Sequence, residues 1–149
     1  MTTNVGMIQG GTGVNVVPRE ASAEVDLRVV TAADGEELTA KILNRVARDP
    51  NVEVEISGGM NRPPYERSEA IDALFEQARD LAARTGLELV STPLTGGGSD
   101  GNFTAALGVP TLDGLGADGK GAHTLHEQIY VSSLEPRAAM WVELLGGLK

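Results

Sequence analysis

The 149-residue chain has no cysteine, so it can hold neither a disulfide nor a zinc ion bound through thiolates, and its redox compartment stays open. Aromatic residues make up 3%, and Lys plus Arg number 12 against 21 Asp plus Glu, a formal charge of −9. A chain short of both positive charge and stacking rings suits neither nucleic acid nor an anionic membrane, and neither is expected as a partner. No apolar run approaches the roughly 18 residues that a transmembrane helix needs. The opening MTTNVGMIQGG lacks the basic start and apolar core of a signal peptide, which favours the cytoplasm as the expectation. Histidine is scarce too, with only His123 and His126, three positions apart. Glycine is plentiful at 19 residues, and 41% apolar with 22% charged residues is the composition of a soluble globule.

Residues 3–9 have the character of a short strand, followed by a turn at Gly10, Gly11 and Gly13. Val14–Val17 is strand-like and Pro18 ends it. Residues 21–30 alternate, with Ala23, Val25, Leu27 and Val29 on one face and Glu24, Asp26 and Arg28 on the other, as in a half-buried strand. Asp34 is placed to cap a helix over 35–48 whose stripe is Leu38, Ile42, Leu43 and Val46, and VEVEI at 52–56 alternates as a further strand. Residues 58–67, GGMNRPPYER, are the best linker candidate. Ser68 then caps a helix over 69–85, with Ile71, Leu74, Phe75, Ala78, Leu81 and Ala82 on its apolar face. Short strands are expected at 87–90 and 109–112, a short helix at 101–107, and a last helix over 134–146 capped by Ser133. Leu134, Ala138, Trp141, Val142 and Leu145 would form that helix's stripe. The first part thus reads strand, strand, helix, strand, and the second α-β-α-β-α, the pattern of a parallel sheet covered by helices.

Three constellations could carry chemistry. His123-Thr-Leu-His126-Glu127 puts two imidazoles and a carboxylate close together, but its order is not that of the zincin motif, and a loop turns the two histidines to different sides. The alternative is a pair of loop histidines bonded to the backbone. Gly97-Gly98-Ser99-Asp100-Gly101 matches the nucleophile-elbow pattern, and Asp113 or Asp118 followed by His123 or His126 would complete the order Ser, Asp, His of a serine hydrolase. Against that stand the chain's length and Pro93, and a glycine turn with Ser99 as a helix cap is the plainer reading. Arg28 and Arg62 offer guanidinium forks suited to a carboxylate, although for either alone, as for Asn15, an ordinary surface residue is the favoured reading.

The order of these segments is more specific than any one of them. NVGMIQGGTGVNVVPREASAEVDLRVV, then NRP, then TGGGSDGNFTAALGVPTLDGLG, then GAHTLHEQIYV resembles the co-catalytic zinc exopeptidases: the glutamate carboxypeptidases, aminoacylases, peptidase T and succinyl-diaminopimelate desuccinylases. The resemblance implies an α/β fold. Residues 1–57 would be half of a ferredoxin-like lid sheet, which is also the dimerisation domain. Residues 58–67 would be the hinge, and 68–149 the last third of the catalytic domain, an α-β-α-β-α segment of a parallel-rich sheet. It implies that His123 is a zinc ligand of a two-zinc site, with His126 outside the ligand set. It implies that Asn15, Arg28 and Arg62 grip the free carboxylate and polarise the scissile carbonyl of a small peptide or N-acyl amino acid. Gly97, Gly98 and Ser99 would line the pocket for its C-terminal residue.

Other family features are missing from these residues. There is no H-x-D motif, and the one Glu pair, Glu36-Glu37, falls in the first turn of a helix, where it complements the helix dipole. The chain is therefore expected to be a portion of a longer zinc carboxypeptidase or amidohydrolase, inactive alone, with no catalytic residue of its own. The alternatives are a non-catalytic dimerisation or binding module, whose incomplete lid sheet would recruit a second copy, and a serine hydrolase using Ser99.

Overall fold

The computed structural model describes residues 1–148, which build a mixed α/β chain with two small antiparallel sheets. Residues Met1–Glu66 form one compact unit and a second begins at Arg67. No helix of the described residues is long and apolar enough to cross a membrane.

In the first unit, β1 (Thr2–Gly10) pairs antiparallel with β2 (Ala21–Arg28), from Thr2 opposite Arg28 to Gly10 opposite Ala21. The register slips between Val5 and Met7, leaving Gly6 as the extra residue of a bulge. The slip has a purpose visible in the side chains. Val5 and Ile8 are three apart and would otherwise point to opposite faces, but the bulge sets Val5 across from Val25 and Ile8 across from Ala23. One apolar face then runs across both strands. Val14–Val17 is a turn rather than a strand, closed by Val16 N–H donating to Gly13 C=O at 3.2 Å. Val14 and Val17 stand in solvent, since Pro18 lacks the N–H that would extend the ladder.

Helix α1 (Ala32–Leu43) starts and ends earlier than its periodicity suggests. Thr31, not Asp34, is the cap; its hydroxyl accepts the Asp34 N–H at 3.1 Å, and Asp34 lies inside the first turn. Asn44 ends the helix by turning its side-chain amide onto Ala40 C=O at 2.8 Å. Glu37 and Lys41 pair across one turn. Gly35 is the buried residue of α1, because the Met60 side chain lies where a Cβ would be and Val29 is close behind. Glu66 reaches back to accept the Ala32 N–H at 2.7 Å. Met60 and Glu66 therefore fasten the proline-rich segment 58–66 onto α1. Residues 52–56 are not in a strand. Alternation decides which faces a strand would show, not which edge it joins.

The second unit rests on α2 (Glu69–Ala83) and α4 (Leu134–Gly147), with the short α3 (Gly101–Ala106) and a hairpin of β3 (Gly119–Lys120) and β4 (Gln128–Ile129) between them. Ser68 caps α2, accepting Ile71 N–H at 3.3 Å. Ser68→Ala is expected to lower stability by about 0.5–1 kcal/mol, the low end for a cap because the bond is long; a thermal melt followed by circular dichroism measures it. The core consists of Ala78, Leu81 and Ala82 of α2, Met140 and Leu144 of α4, and Leu89, with Phe75, Leu87, Leu112 and Leu115 packed on it. The buried face of α4 is thus not the expected stripe. Trp141, Val142 and Leu145 are exposed, and Pro136, Arg137, Met140 and Leu144 face inward. This helix is apolar nearly all round, so periodicity cannot choose a face; the small Ala78 and Ala82 opposite it do. Residues 87–90 and 109–112 are also outside any strand, and both sheets present are antiparallel, so the parallel pairing expected here is not formed among the described residues. A parallel sheet of two such short segments would leave a face uncovered, and the segments instead lay Leu89 and Leu112 on the helices.

Candidate functional site

His123 stands at the tip of the β3–β4 hairpin. Gly119 faces Ile129 and Lys120 faces Gln128, and residues 121–127 form the loop between. The loop is built from its own bonds. Thr124 donates both its N–H and its hydroxyl to Gly121 C=O, at 3.0 and 2.8 Å. The same hydroxyl accepts His126 N–H at 3.1 Å, and Glu127 N–H reaches Thr124 C=O at 3.2 Å. Gly121 has φ 70°, and a Cβ there would come within 3.1 Å of His126 C=O, so the turn needs glycine. His123 is the one non-glycine residue with positive φ among the described residues, at 64°. Its N–H is held by the Glu127 carboxylate at 3.3 Å. Left-handed backbone at a residue with a side chain is uncommon and costs about 1–3 kcal/mol. Here it raises the imidazole into solvent, where His126 is exposed as well.

The glycine-rich loop 95–101 leads into α3. Ser99 is half-buried and engaged: its hydroxyl accepts Gly101 N–H at 3.0 Å, and its own N–H goes to Asn102 Oδ1 at 3.0 Å. This exchange is a capping arrangement, made by Ser99 and Asn102, while Asp100 holds the cap position and its side chain makes no cap bond. Gly97 and Gly98 are exposed, and a Cβ added at Gly97 would meet no other atom within 4 Å. The strand that a nucleophile elbow needs before its serine is not formed, since no residue from 87 to 98 is in a strand.

The other candidates lie in the first unit. Asn15 is exposed in the turn between β1 and β2. Arg28 ends β2, with Nε 3.0 Å from Asp26 Oδ2. Arg62 is exposed at the bend between the Met60 and Glu66 anchors. Reading the sequence missed those anchors: nothing in GGMNRPPYER marks Met60 or Glu66 as contacts of a helix that begins 34 residues before Glu66. It also missed Arg137, whose polar head is drawn into the second unit at the start of α4.

The residues do not make a closed metal site by themselves. No group of three or more His, Asp or Glu side chains close enough to hold a metal ion occurs among the described residues. The hairpin offers exposed imidazole, and its nearest carboxylate, Glu127, is spent on the His123 backbone. Catalytic zinc takes three protein ligands, so this donor set falls short of one zinc ion and further short of two.

A sequence profile of the family described as peptidase family M20/M25/M40 matches residues 4–146. Among curated relatives, the succinyl-diaminopimelate desuccinylase of Cereibacter sphaeroides is 33% identical over 145 residues, covering 91% of this chain and 36% of the relative. The enzyme of the same name from Bordetella parapertussis is 34% identical over 139 residues, 91% of this chain and 35% of the relative. Carboxypeptidase G2 of a Pseudomonas species is 25% identical over 140 residues, 92% of this chain and 34% of the relative. The chain therefore spans about a third of the length of these relatives.

Proposed function

The chain belongs to peptidase family M20/M25/M40, and on that premise we propose that it is the substrate-gripping portion of a zinc-dependent amidohydrolase that releases a C-terminal amino acid from a peptide or N-acyl group. The observation that carries this reading is the ordered match over residues 4–146, which includes the loop presenting His123. Residues 1–57 are, on this reading, part of the lid and dimerisation domain, 58–67 the hinge, and 68–149 part of the catalytic domain. Residues 52–56, 87–90 and 109–112, which lie in no strand here, would be strands that join sheets completed by the rest of the protein.

Arg28 and Arg62 would take the substrate's free carboxylate through their guanidinium forks, and Asn15 would donate to the scissile carbonyl. Gly97, Gly98 and Ser99 would border the C-terminal residue, and His123 would donate one imidazole to zinc. The names of the relatives, a desuccinylase acting on succinyl-diaminopimelate and a carboxypeptidase, both suit an N-acyl amino acid with a free carboxylate. Sequencing the DNA upstream of the Met1 codon tests the proposal. An in-frame H-x-D motif and Glu-Glu pair are expected, and an upstream region encoding neither would overturn it.

A second reading, association with another copy, is favoured by β1. This strand of nine residues carries no charge and no proline, pairs on one side only, and is exposed throughout. Such an edge invites a further strand. The chain is expected to run as a dimer or larger in light scattering, and Ile8→Lys to shift it to monomer; a sharp monomer peak for the unaltered chain counts against this reading.

A further inference from the structure

The hairpin that presents His123 is bonded at its base to the start of α4, and we propose that Ser133 is the positioning residue that holds it. The β3–β4 ladder has two residues on each strand, too few to be stable alone. The bonds of the tip join tip residues to one another, so they shape the loop without anchoring it. The anchor lies at the base. Ser133 Oγ accepts Asp118 N–H at 3.0 Å and donates to Tyr130 C=O at 2.7 Å. Ser133 N–H reaches the same carbonyl at 2.9 Å, and Tyr130 N–H donates to Asp118 C=O at 2.8 Å. One hydroxyl thereby joins both ends of the hairpin, Asp118 before β3 and Tyr130 after β4, to the turn that opens α4.

Ser133 occupies the cap position of α4, yet its side chain makes no cap bond. Its hydroxyl is given wholly to the hairpin. Arg137, one turn on, adds an ion pair from Nη2 to Asp118 Oδ1 at 3.2 Å, while its Nε is buried without a partner. Asp118 is 63% exposed, so this pair is a weak second tie. A cavity of about 260 Å³ lined by Leu87, Asp118, Tyr130, Ser132 and Pro136, among others, adjoins the anchor.

The benefit of a fixed His123 to zinc binding rests on the proposed function; the anchoring of the hairpin does not, and it is measured on the 149-residue chain without metal. In Ser133→Ala, amide exchange at Asp118 and Tyr130 is expected to accelerate about tenfold, since two hydrogen bonds are lost. The His123 ring resonances should shift. Exchange in α2 and the emission of Trp141 should hold. Ser133→Thr, which keeps the hydroxyl, should restore slow exchange and the wild-type resonances. Unchanged exchange at Tyr130 in Ser133→Ala, acceleration spread equally through α2, or Ser133→Thr behaving like the alanine variant would each overturn the proposal. A chain that passes these tests yet gains no zinc site when completed would fault the proposed function alone.

Discussion

Met140→Ala is expected to unfold most of the second unit, while Leu145→Ala leaves it nearly unchanged. Met140 is fully buried and Leu144 is 1% exposed, and these are the two largest wholly buried side chains. Removing a buried Met or Leu costs about 2–5 kcal/mol through lost transfer energy and the cavity left behind. Natural domains hold only about 0.05–0.15 kcal/mol of stability per residue, so a small unit with a six-residue core has little in reserve. Leu145 is 80% exposed, and its truncation should stay within about 0.5 kcal/mol. Denaturant melts followed by helical circular dichroism and Trp141 emission separate the two variants. The reverse order, with Leu145→Ala the more damaging, would show that α4 packs on the face its periodicity suggested.

That comparison marks where the sequence was legible. Helix α2 was readable because its apolar residues occupy one face and the other is charged; Ile71, Leu74, Phe75, Ala78, Leu81 and Ala82 are all half-buried or buried. Ser68 was readable as a cap because it directly precedes a clearly amphipathic run. In α4 the apolar residues surround the helix, so the packing partner decides the face. β2 was readable from strict alternation, whereas the bulge at Gly6 appears only when its partner's register is known. Thr31 and Asp34 both suit a cap, and the backbone chooses by where the chain turns.

The candidate site divides in the same way. The residues around His123 announced themselves because imidazoles and a carboxylate at close spacing are rare in any chain. Their support did not. Ser133 looks like an ordinary cap, and only the closure of a 15-residue separation between Asp118 and Ser133 gives it another role. Met60 and Glu66 were hidden for the same reason, since long-range contacts leave no periodic trace.

Supplied with zinc, the 149-residue chain is expected to hydrolyse N-acyl glutamates no faster than the uncatalysed reaction. Enzymes of ordinary competence accelerate their reactions by about 10⁶-fold or more, so the gap between the two outcomes is wide. The argument is one of donor count. The chain has two histidines, and no group of three or more His, Asp or Glu able to hold a metal occurs among the described residues. Closed zinc sites bind with about 10–16 kcal/mol, and calorimetry should find this chain far weaker. His123→Ala should then change little in the 149-residue chain but remove activity from a protein that also carries the H-x-D motif and the Glu-Glu pair. Turnover by the short chain that is lost on chelation would overturn the proposal that its metal ligands are incomplete. Turnover that survives chelation and disappears in Ser99→Ala would replace it with a serine hydrolase, despite the bond that ties Ser99 Oγ to Gly101.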